Sequence, residues 1–236
     1  LLGTDKLEKS LKQLEDMEGI EYRLGEHKEE DFRQADIVIF NPAVPPGNKY
    51  LRIAEENRAE LTTQMNIFFK FCPARIIGIT GSNGKSTTTS LTAHILQAGG
   101  LKDEVDYDRV HLSGNIGNKP LLGLLFDIQE DDLVVLEVSS FQAEQLERIK
   151  KGPDVALLTN LTPNHLDRHG TFEKYCEAKE CLFKYQPSDP QEPSVSIFCA
   201  DDEVGVEWYE KYRRKEGRKC KLYSYEQVDE DFKDAF

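Results

Sequence analysis

The chain has 236 residues, of which 39% are hydrophobic and 31% charged, a balance that supports a packed core and excludes an intrinsically disordered chain. No apolar run approaches the about 20 residues that cross a bilayer, and residues 1–6 do not lead into the apolar core of a signal peptide. The net charge of −13 disfavours non-specific nucleic-acid binding, although a local phosphate site can still form. We therefore expect a protein that binds neither membrane nor nucleic acid.

The five cysteines indicate reduced thiols rather than disulfides or a metal centre. Five cannot all pair, and none has the C-x-x-C spacing. Cys176 and Cys181 lie on different faces of a predicted helix, with no second Cys/His pair nearby. We expect a cytoplasmic protein.

The first 70 residues predict a helix, two strands and a further helical stretch. Leu7, Leu11 and Leu14 recur at helical spacing behind Thr4, which predicts an amphipathic helix over residues 4–18. The remaining predictions are strands at 20–24 and 36–40, a turn-rich loop at 41–48 and helix in two pieces over 49–72.

After residue 70 the pattern becomes regular, with strands that are apolar throughout alternating with helices. Such alternation is typical of a parallel sheet covered by helices on both faces, which is the α/β class. We place the domain boundary near residues 70–74, which divides the chain into 1–70 and 71–236. The predicted strands are 75–80, 110–113, 133–138, 155–161, 194–199 and 219–225, and the predicted helices are 85–97, 121–128, 140–149, 171–185 and 203–214.

A candidate phosphate loop follows the first strand of the regular block, in the stretch Gly78–Thr88. Its glycines let the backbone curl around an anion, and the N–H groups at the helix start point towards it. Lys85 would reach the β- and γ-phosphates, and the Ser86 hydroxyl would hold Mg²⁺. The alternative is a tight strand–helix turn with a surface lysine, since Ile79 stands where the strict pattern has glycine. The predicted ATP-binding residues are Gly81, Ser82, Asn83, Gly84, Lys85, Ser86, Thr87 and Thr88.

Two further strands end in groups that suit a metal. Glu137 follows four apolar residues at the carboxyl end of its strand, where ligands of open parallel sheets collect, although it could instead cap the next helix. His165 lies just past the next strand, and a neutral imidazole binds divalent metals. His169 is displaced further into the loop and is the weaker candidate. Lys179, on the following helix, would ordinarily be a solvated lysine.

Seven stretches that span residues 25–179 resemble, in the same order, the motifs of the Mur ligase family. Within that family, the loop at 41–45 and the S-S-F-Q stretch at 139–142 favour the enzyme that adds D-glutamate. The stretches are Gly25–Phe32, Asn41–Pro45, Gly78–Thr88, Ser113–Gly117, Glu137–Gln142, Asn160–Gly170 and Tyr175–Lys179.

The resemblance implies an ATP-dependent ligase that joins D-glutamate to UDP-N-acetylmuramoyl-L-alanine through an acyl phosphate. It implies that Lys85 holds phosphates, that Ser86 and Glu137 serve one Mg²⁺, and that His165 serves a second. It also aligns Lys179 with a carbamylated lysine whose oxygens help hold the second metal, so the catalytic set is Lys85, Glu137, His165 and Lys179. The residues implied to contact the muramoyl substrate are Asn115, Ser139 and Gln142.

The ends of the chain depart from the family pattern. No Gly-rich βαβ unit precedes residue 70, and the family's C-terminal domain has no counterpart after about residue 225. We therefore expect a fragment: a partial Rossmann-like domain that binds the UDP substrate, followed by the P-loop central domain of a monomeric enzyme. Two alternatives remain open, a ligase similar to folylpolyglutamate synthase and a nucleotide-binding module without turnover of its own.

Overall fold

The computed structural model describes residues 18–21, 23, 25–99, 106–116 and 120–225. Within them the chain forms a two-stranded and a six-stranded sheet, and every strand pairing is parallel. The predicted helix at 4–18 lies outside the described residues, apart from residue 18, which is in a turn. No helix of the described part is long and apolar enough to cross a membrane.

The smaller sheet belongs to residues 18–62, called here the N-terminal segment. Its small core contains Ala54, Ala59 and Leu61. Ile37 and Ile39 point away from that core and are more than half exposed. The elements are α1 (Glu29–Gln34), β1 (Ile37–Ile39), α2 (Lys49–Glu56) and β2 (Glu60–Thr62).

The larger sheet has the strand order β4-β5-β3-β6-β7-β8, so its first strand in the chain lies in the interior of the sheet. Its strands are β3 (Arg75–Thr80), β4 (Val110–Gly114), β5 (Leu133–Glu137), β6 (Val155–Leu158), β7 (Ser194–Cys199) and β8 (Arg218–Tyr223). The helices around it are α3 (Gln64–Phe71), α4 (Lys85–Gly99), a 3₁₀ turn (Leu122–Phe126), α5 (Ser140–Ile149), α6 (Leu166–His169), α7 (Phe172–Lys184) and α8 (Glu203–Tyr212).

Burial on both faces explains why β5 is apolar throughout. Val134 and Leu136 point into the main core, whereas Val135 packs with Ile79 and Ala93 beneath α4 on the opposite face. Successive side chains of a strand point to opposite faces, so both faces need apolar residues here. This confirms the predicted fold class, a parallel sheet covered on both sides.

Most predicted elements are present, and the differences have local causes. Residues 20, 21 and 23 form no strand. The predicted helical stretch 49–72 is interrupted by β2, whose three residues are too few to show the alternation of apolar and polar side chains that marks a strand. The predicted helix at 121–128 is a 3₁₀ turn, and α1 and α6 were missed because they are short. The domain boundary at 70/71 stays a prediction. It falls within the last turn of α3, which packs into the main core through Met65, Phe68 and Phe69.

A buried carboxylate joins β4 to the turn before β5. Asp132 accepts hydrogen bonds from Arg109 (3.1 and 2.8 Å), from the His111 ring (2.9 Å) and from the backbone N–H of Gln129 (2.9 Å). Burial opposes its charge, but these bonds outweigh burial and lower the pKa of Asp132 to about 2. The carboxylate therefore stabilises the fold above its ordinary pKa of 3.8 and loses that effect as the pH falls through about 2.

We expect Asp132→Asn to lower the free energy of unfolding at pH 7 by about 1–3 kcal/mol, because it leaves buried hydrogen-bond donors poorly matched. Urea denaturation measures the change, and the difference from wild type should shrink as the pH falls from 4 towards 2. Asp131→Asn is the control, since that side chain is exposed. Equal losses in the two variants would contradict the role given to Asp132.

Candidate functional site

The candidate site lies where the central strands of the larger sheet end. The register pairs Ile79 of β3 and Gly114 of β4 with Glu137 of β5, and Thr80 with Leu158 of β6. Carboxyl ends of parallel strands meet at one edge, and the loops that follow them form the ligand site of such sheets. This geometry brings together the Lys85 loop and Glu137.

The loop before α4 is bound tightly to the end of β6. Gly81 has φ +147°, and a Cβ atom there would lie 1.9 Å from Thr159 Oγ1 and 3.0 Å from the Asn160 carbonyl oxygen. Ser82 N donates to the Asn160 carbonyl (2.8 Å), and Thr159 Oγ1 donates to the Asn83 carbonyl (2.7 Å). Glycine at position 81 is therefore favoured by its positive φ and by the close approach of the Thr159 side chain and the Asn160 backbone.

Gly78 is the first glycine of the motif, but it serves packing within a strand and does not shape the loop. It lies inside β3, where a Cβ atom would meet Pro153 at 3.0 Å and Leu182 at 3.2 Å. Ile79, which breaks the strict pattern, is fully buried beneath α4. The phosphate loop thus uses Gly81 and Gly84, both with positive φ, and the departure at Ile79 is a packing residue of the strand.

Lys85 opens α4 and folds back over its own loop. Its Nζ donates to the Ser82 carbonyl at 2.9 Å, and the side chain is half-buried. The first-turn N–H groups of a helix lack intrahelical partners, and the helix dipole places partial positive charge there. The loop therefore offers an anion one lysine cation and a set of backbone donors, while Ser86 and Thr87 stay exposed.

Glu137 is a buried carboxylate with an unused oxygen. The residue is 3% exposed, and Oε1 accepts a hydrogen bond from Asn115 Nδ2 at 3.3 Å. Oε2 is buried and has no hydrogen-bond partner among the described residues. An unpaired buried carboxylate oxygen is costly, so the arrangement suits a cation that the protein does not itself supply.

Lys179 lies beneath the loop and is buried. It is 2% exposed, its Nζ donates to Thr80 Oγ1 at 3.3 Å, and it lies 4.8 Å from the centre of the Tyr175 ring. Burial, with the nearby positive charge of Lys85, lowers the pKa of Lys179 to about 7. A large fraction of this amine is therefore neutral at physiological pH, unlike that of a solvated lysine.

The two histidines after β6 have different surroundings. His165 has φ +50°, is exposed, and its ring centre lies 5.1 Å from that of Phe141. His169 is buried, its Nε2 lies 3.0 Å from Ser140 Oγ, and it stacks on Phe141 at 5.3 Å. Burial and neighbouring positive charges lower the pKa of His169, which suits a structural side chain, so His165 remains the candidate ligand.

A cleft of about 390 Å³ lies between the N-terminal segment and the larger sheet, and one of the three predicted substrate contacts lines it. Asn115 is exposed beside Glu137, while Ser139 and Gln142 form a capping box at the start of α5. Gln142 also lines the cleft together with Asn41 and Gly114. The roles of these three residues towards a substrate stay predictions.

The described residues contain no group of three or more His, Cys, Asp or Glu side chains that could hold a metal ion by themselves. Mg²⁺ commonly takes one or two carboxylates together with waters and substrate phosphates, rather than an all-protein cage. Glu137 suits that sparse type of site, because its buried Oε2 has no hydrogen-bond partner among the described residues, while a contribution from the Ser86 hydroxyl stays a prediction.

Sequence patterns did not reveal several residues that shape the site. The Thr80 hydroxyl accepts a hydrogen bond from Lys179 Nζ and donates one to the Val138 carbonyl at 2.8 Å. Tyr175 lies 3.0 Å from Ser82 Oγ through its hydroxyl. Asp202 accepts from the backbone N–H of Leu161 and so fixes the loop after β6. All three act across long sequence separations, and only Asp202, next to a predicted helix start, carried a local signal as a cap.

Comparison with known proteins gives the family. Residues 79–235 match the model of the Mur ligase middle domain. The chain is 42% identical over 189 residues to UDP-N-acetylmuramoylalanine--D-glutamate ligase of Koribacter versatilis, a match that covers 80% of this chain and 39% of the relative. It is 37% identical over 226 residues to the same-named protein of Clostridium tetani, covering 96% of this chain and 45% of the relative. The chain thus spans less than half the length of these curated relatives.

A solved structure supports the fold. The structure of UDP-N-acetylmuramoyl-L-alanyl-D-glutamate--2,6-diaminopimelate ligase matches with a TM-score of 0.52 at 23% identity, covering 82% of this chain and 45% of that one. The family model and the curated relatives together decide the family. The chain belongs to the Mur ligase family.

Proposed function

We propose that the whole protein is an ATP-dependent ligase that joins D-glutamate to UDP-N-acetylmuramoyl-L-alanine in peptidoglycan synthesis. The observation that carries the proposal is the buried Oε2 of Glu137, which has no hydrogen-bond partner among the described residues and lies at the same sheet edge as the Lys85 loop. A buried carboxylate beside a lysine-bearing loop suits a nucleoside triphosphate bound with a cation. The choice of D-glutamate is supported by the names of relatives at 37–42% identity.

The nucleotide would bind to the loop Gly81–Thr88. Backbone N–H groups at the start of α4 and the Lys85 ammonium would bind the phosphate oxygens, and Ser86 and Glu137 would hold Mg²⁺. Bound Mg²⁺ would offset the charge of the phosphates. Lys85 would have to leave the Ser82 carbonyl to reach a γ-phosphate, a change that exchanges one hydrogen bond for a charge-assisted one.

Lys179 is suited to carbamylation because its amine is buried and, with its pKa lowered to about 7, a substantial fraction of it is neutral near pH 7. In this modification the amine nitrogen bonds to the carbon of CO₂, and the nitrogen loses a proton. The product is a carboxylate on a buried side chain. A buried negative charge is stable only when it is paired with a cation. His165 and the Lys179 carbamate are thus our candidates for holding a second Mg²⁺.

The chemistry would proceed in two steps. The carboxylate of UDP-N-acetylmuramoyl-L-alanine attacks the γ-phosphorus of ATP, which forms an acyl phosphate and releases ADP. The amine of D-glutamate then attacks the acyl carbon, loses a proton and expels inorganic phosphate, leaving an amide. Alignment of carboxylate and phosphate is the main task of the protein, since phosphoryl transfer depends mostly on positioning and charge stabilisation.

We propose that residues 1–70 contribute to binding the UDP substrate and that residues 71–236 form the ATP-binding domain. The cleft beside Asn115, Ser139 and Gln142 supports this division, because it lies between the N-terminal segment and the larger sheet. A cytoplasmic location is supported by the five free cysteines, four of them buried. That the enzyme acts as a monomer stays a prediction.

The first test is phosphate release by the full-length protein. We expect release from ATP to require both UDP-N-acetylmuramoyl-L-alanine and D-glutamate, because the acyl phosphate persists until an amine attacks it. Malachite-green detection with each substrate omitted in turn measures this. Release that is equally fast without either substrate would overturn the ligase proposal and favour a simple ATPase.

The second test separates nucleotide binding from turnover, using calorimetry of Mg-ATP with the 236-residue chain. We expect Lys85→Ala to weaken binding about 10- to 100-fold, the loss of one charge-assisted contact of about 1.5–3 kcal/mol. Lys151→Ala is the control, since Lys151 is exposed and lies outside the loop. Equal affinities for wild type and Lys85→Ala would refute the phosphate-binding role. An absence of heat with wild type would refute the view that this chain binds nucleotide by itself.

The third test uses the buried amine of Lys179. Between about pH 7 and the ordinary lysine pKa of 10.5, Lys179 carries a proton in the unfolded chain that it lacks in the folded chain. Its contribution to the free energy of unfolding therefore rises with pH across that window. We expect Lys179→Met to exceed wild type in free energy of unfolding by roughly 2–4 kcal/mol at pH 6, with a smaller difference at pH 9.5. Urea denaturation under CO₂-free buffer measures both values. Lys174→Met is the exposed control, and a pH-independent difference would contradict the assignment.

A further inference from the structure

Arg168 connects the N-terminal segment to the larger domain. Its side chain is 12% exposed, and its Nη2 lies 3.4 Å from the Val44 carbonyl oxygen and 3.6 Å from Glu144 Oε2. The guanidinium carbon lies 5.6 Å from the centre of the Phe141 ring. One side chain thus contacts the loop after β1 and the first turns of α5.

The same residue is tied to the His165 turn. Arg168 N donates to the His165 carbonyl at 3.0 Å, so the two residues share one turn of α6. The rings of His165 and Phe141 are 5.1 Å apart, and Phe141 is also the ring beneath the Arg168 guanidinium. A shift of Arg168 would therefore move His165 both through the backbone and through Phe141.

The polar contacts of Arg168 leave room to tighten. A distance of 3.4 Å to Val44 and of 3.6 Å to Glu144 exceeds the usual N–H···O range of about 2.7–3.2 Å. Arg168 Nε and Glu144 Oε2 are buried and lack a hydrogen-bond partner within the described residues. Movement of the Val44 loop towards this buried guanidinium would be stabilising, because the hydrogen bonds of Arg168 would then shorten.

We propose that Arg168 is a positioning residue, which holds the His165 turn in place against the Val44 loop and so couples substrate held by the N-terminal segment to the catalytic edge of the sheet. The inference rests on the proposed function for its kinetic consequence, but its structural content does not. Arg168 does not touch the nucleotide loop in any recorded contact of the described residues, so its effect is expected on the UDP substrate and not on ATP.

Arg148 provides a matched control. It also reaches the N-terminal segment, since its Nη1 lies 3.6 Å from Glu55 Oε1 and its guanidinium carbon lies 5.7 Å from the centre of the Phe40 ring. Its recorded contacts include neither Phe141 nor α6. If bridging between the two parts were the only role of Arg168, the two arginines would behave alike.

The kinetic experiment compares Arg168→Met, Arg168→Lys and Arg148→Met in the full-length enzyme. We expect Arg168→Met to lower kcat/KM for the UDP substrate at least tenfold and to raise its KM, while KM for ATP stays within twofold of wild type. Arg168→Lys should recover part of the loss, because it keeps a cation and a donor for Val44. Arg148→Met should stay within twofold throughout. A loss confined to kcat, with every KM unchanged, would indicate less folded enzyme and overturn the proposal.

Backbone hydrogen exchange of the 236-residue chain tests the structural content without any substrate. We expect Arg168→Met to speed exchange at least fivefold in both segments 42–47 and 163–171, and Arg148→Met to leave 163–171 unchanged. Unchanged exchange at 163–171 in Arg168→Met, or equal effects of the two variants there, would overturn the positioning role. If instead exchange responds as expected while wild-type enzyme shows no substrate-dependent phosphate release, the proposed function fails and the positioning role stands.

Discussion

The close packing of the loop after β3 against the end of β6 determines the rest of the site. Gly81 has φ +147° and a Cβ atom there would collide with the Thr159 side chain, while hydrogen bonds to Thr159 and Asn160 hold the loop in place. This fixes the direction in which α4 leaves the sheet, and with it the position of Lys85 and of the first-turn N–H groups. A looser loop would still contain the same residues but would not hold the donors in one orientation, which is what anion binding requires.

Two ionisable groups at this edge of the sheet are buried at a cost in folding free energy. Glu137 keeps an oxygen without a partner, and Lys179 is buried against Thr80 and the Tyr175 ring, where charge is costly. Apolar residues would pack here at lower cost, because desolvating a charge is expensive unless it is paired. Under the proposed function, a cation bound beside Glu137 would offset part of this cost.

The N-terminal segment and the larger domain meet through few polar contacts, and these contacts differ in what they connect. Arg148 reaches Glu55 from the surface of α5, whereas Arg168 joins the Val44 loop to the turn that carries His165. α3, most of which precedes the predicted boundary in sequence, packs into the main core through Met65, Phe68 and Phe69. The two parts are therefore joined by apolar packing on the side of α3 and by the polar contact of Arg168 on the side of the Val44 loop.

The sequence by itself determined the α/β class and, to the residue, the strands β3 and β7 and the helix α5, because long apolar strands and Gly-rich turns carry strong local signals. The ordered motifs between residues 25 and 179 indicated the family. The sequence also made Lys85, Glu137 and His165 candidate site residues, since each lies at or beyond the carboxyl end of a strand. The tertiary structure alone decided that Lys179 is buried against Thr80, that Gly78 and Ile79 serve packing, and that Arg168 reaches Val44. These depend on groups brought together from distant parts of the chain, and no local pattern records how deeply a side chain is removed from water.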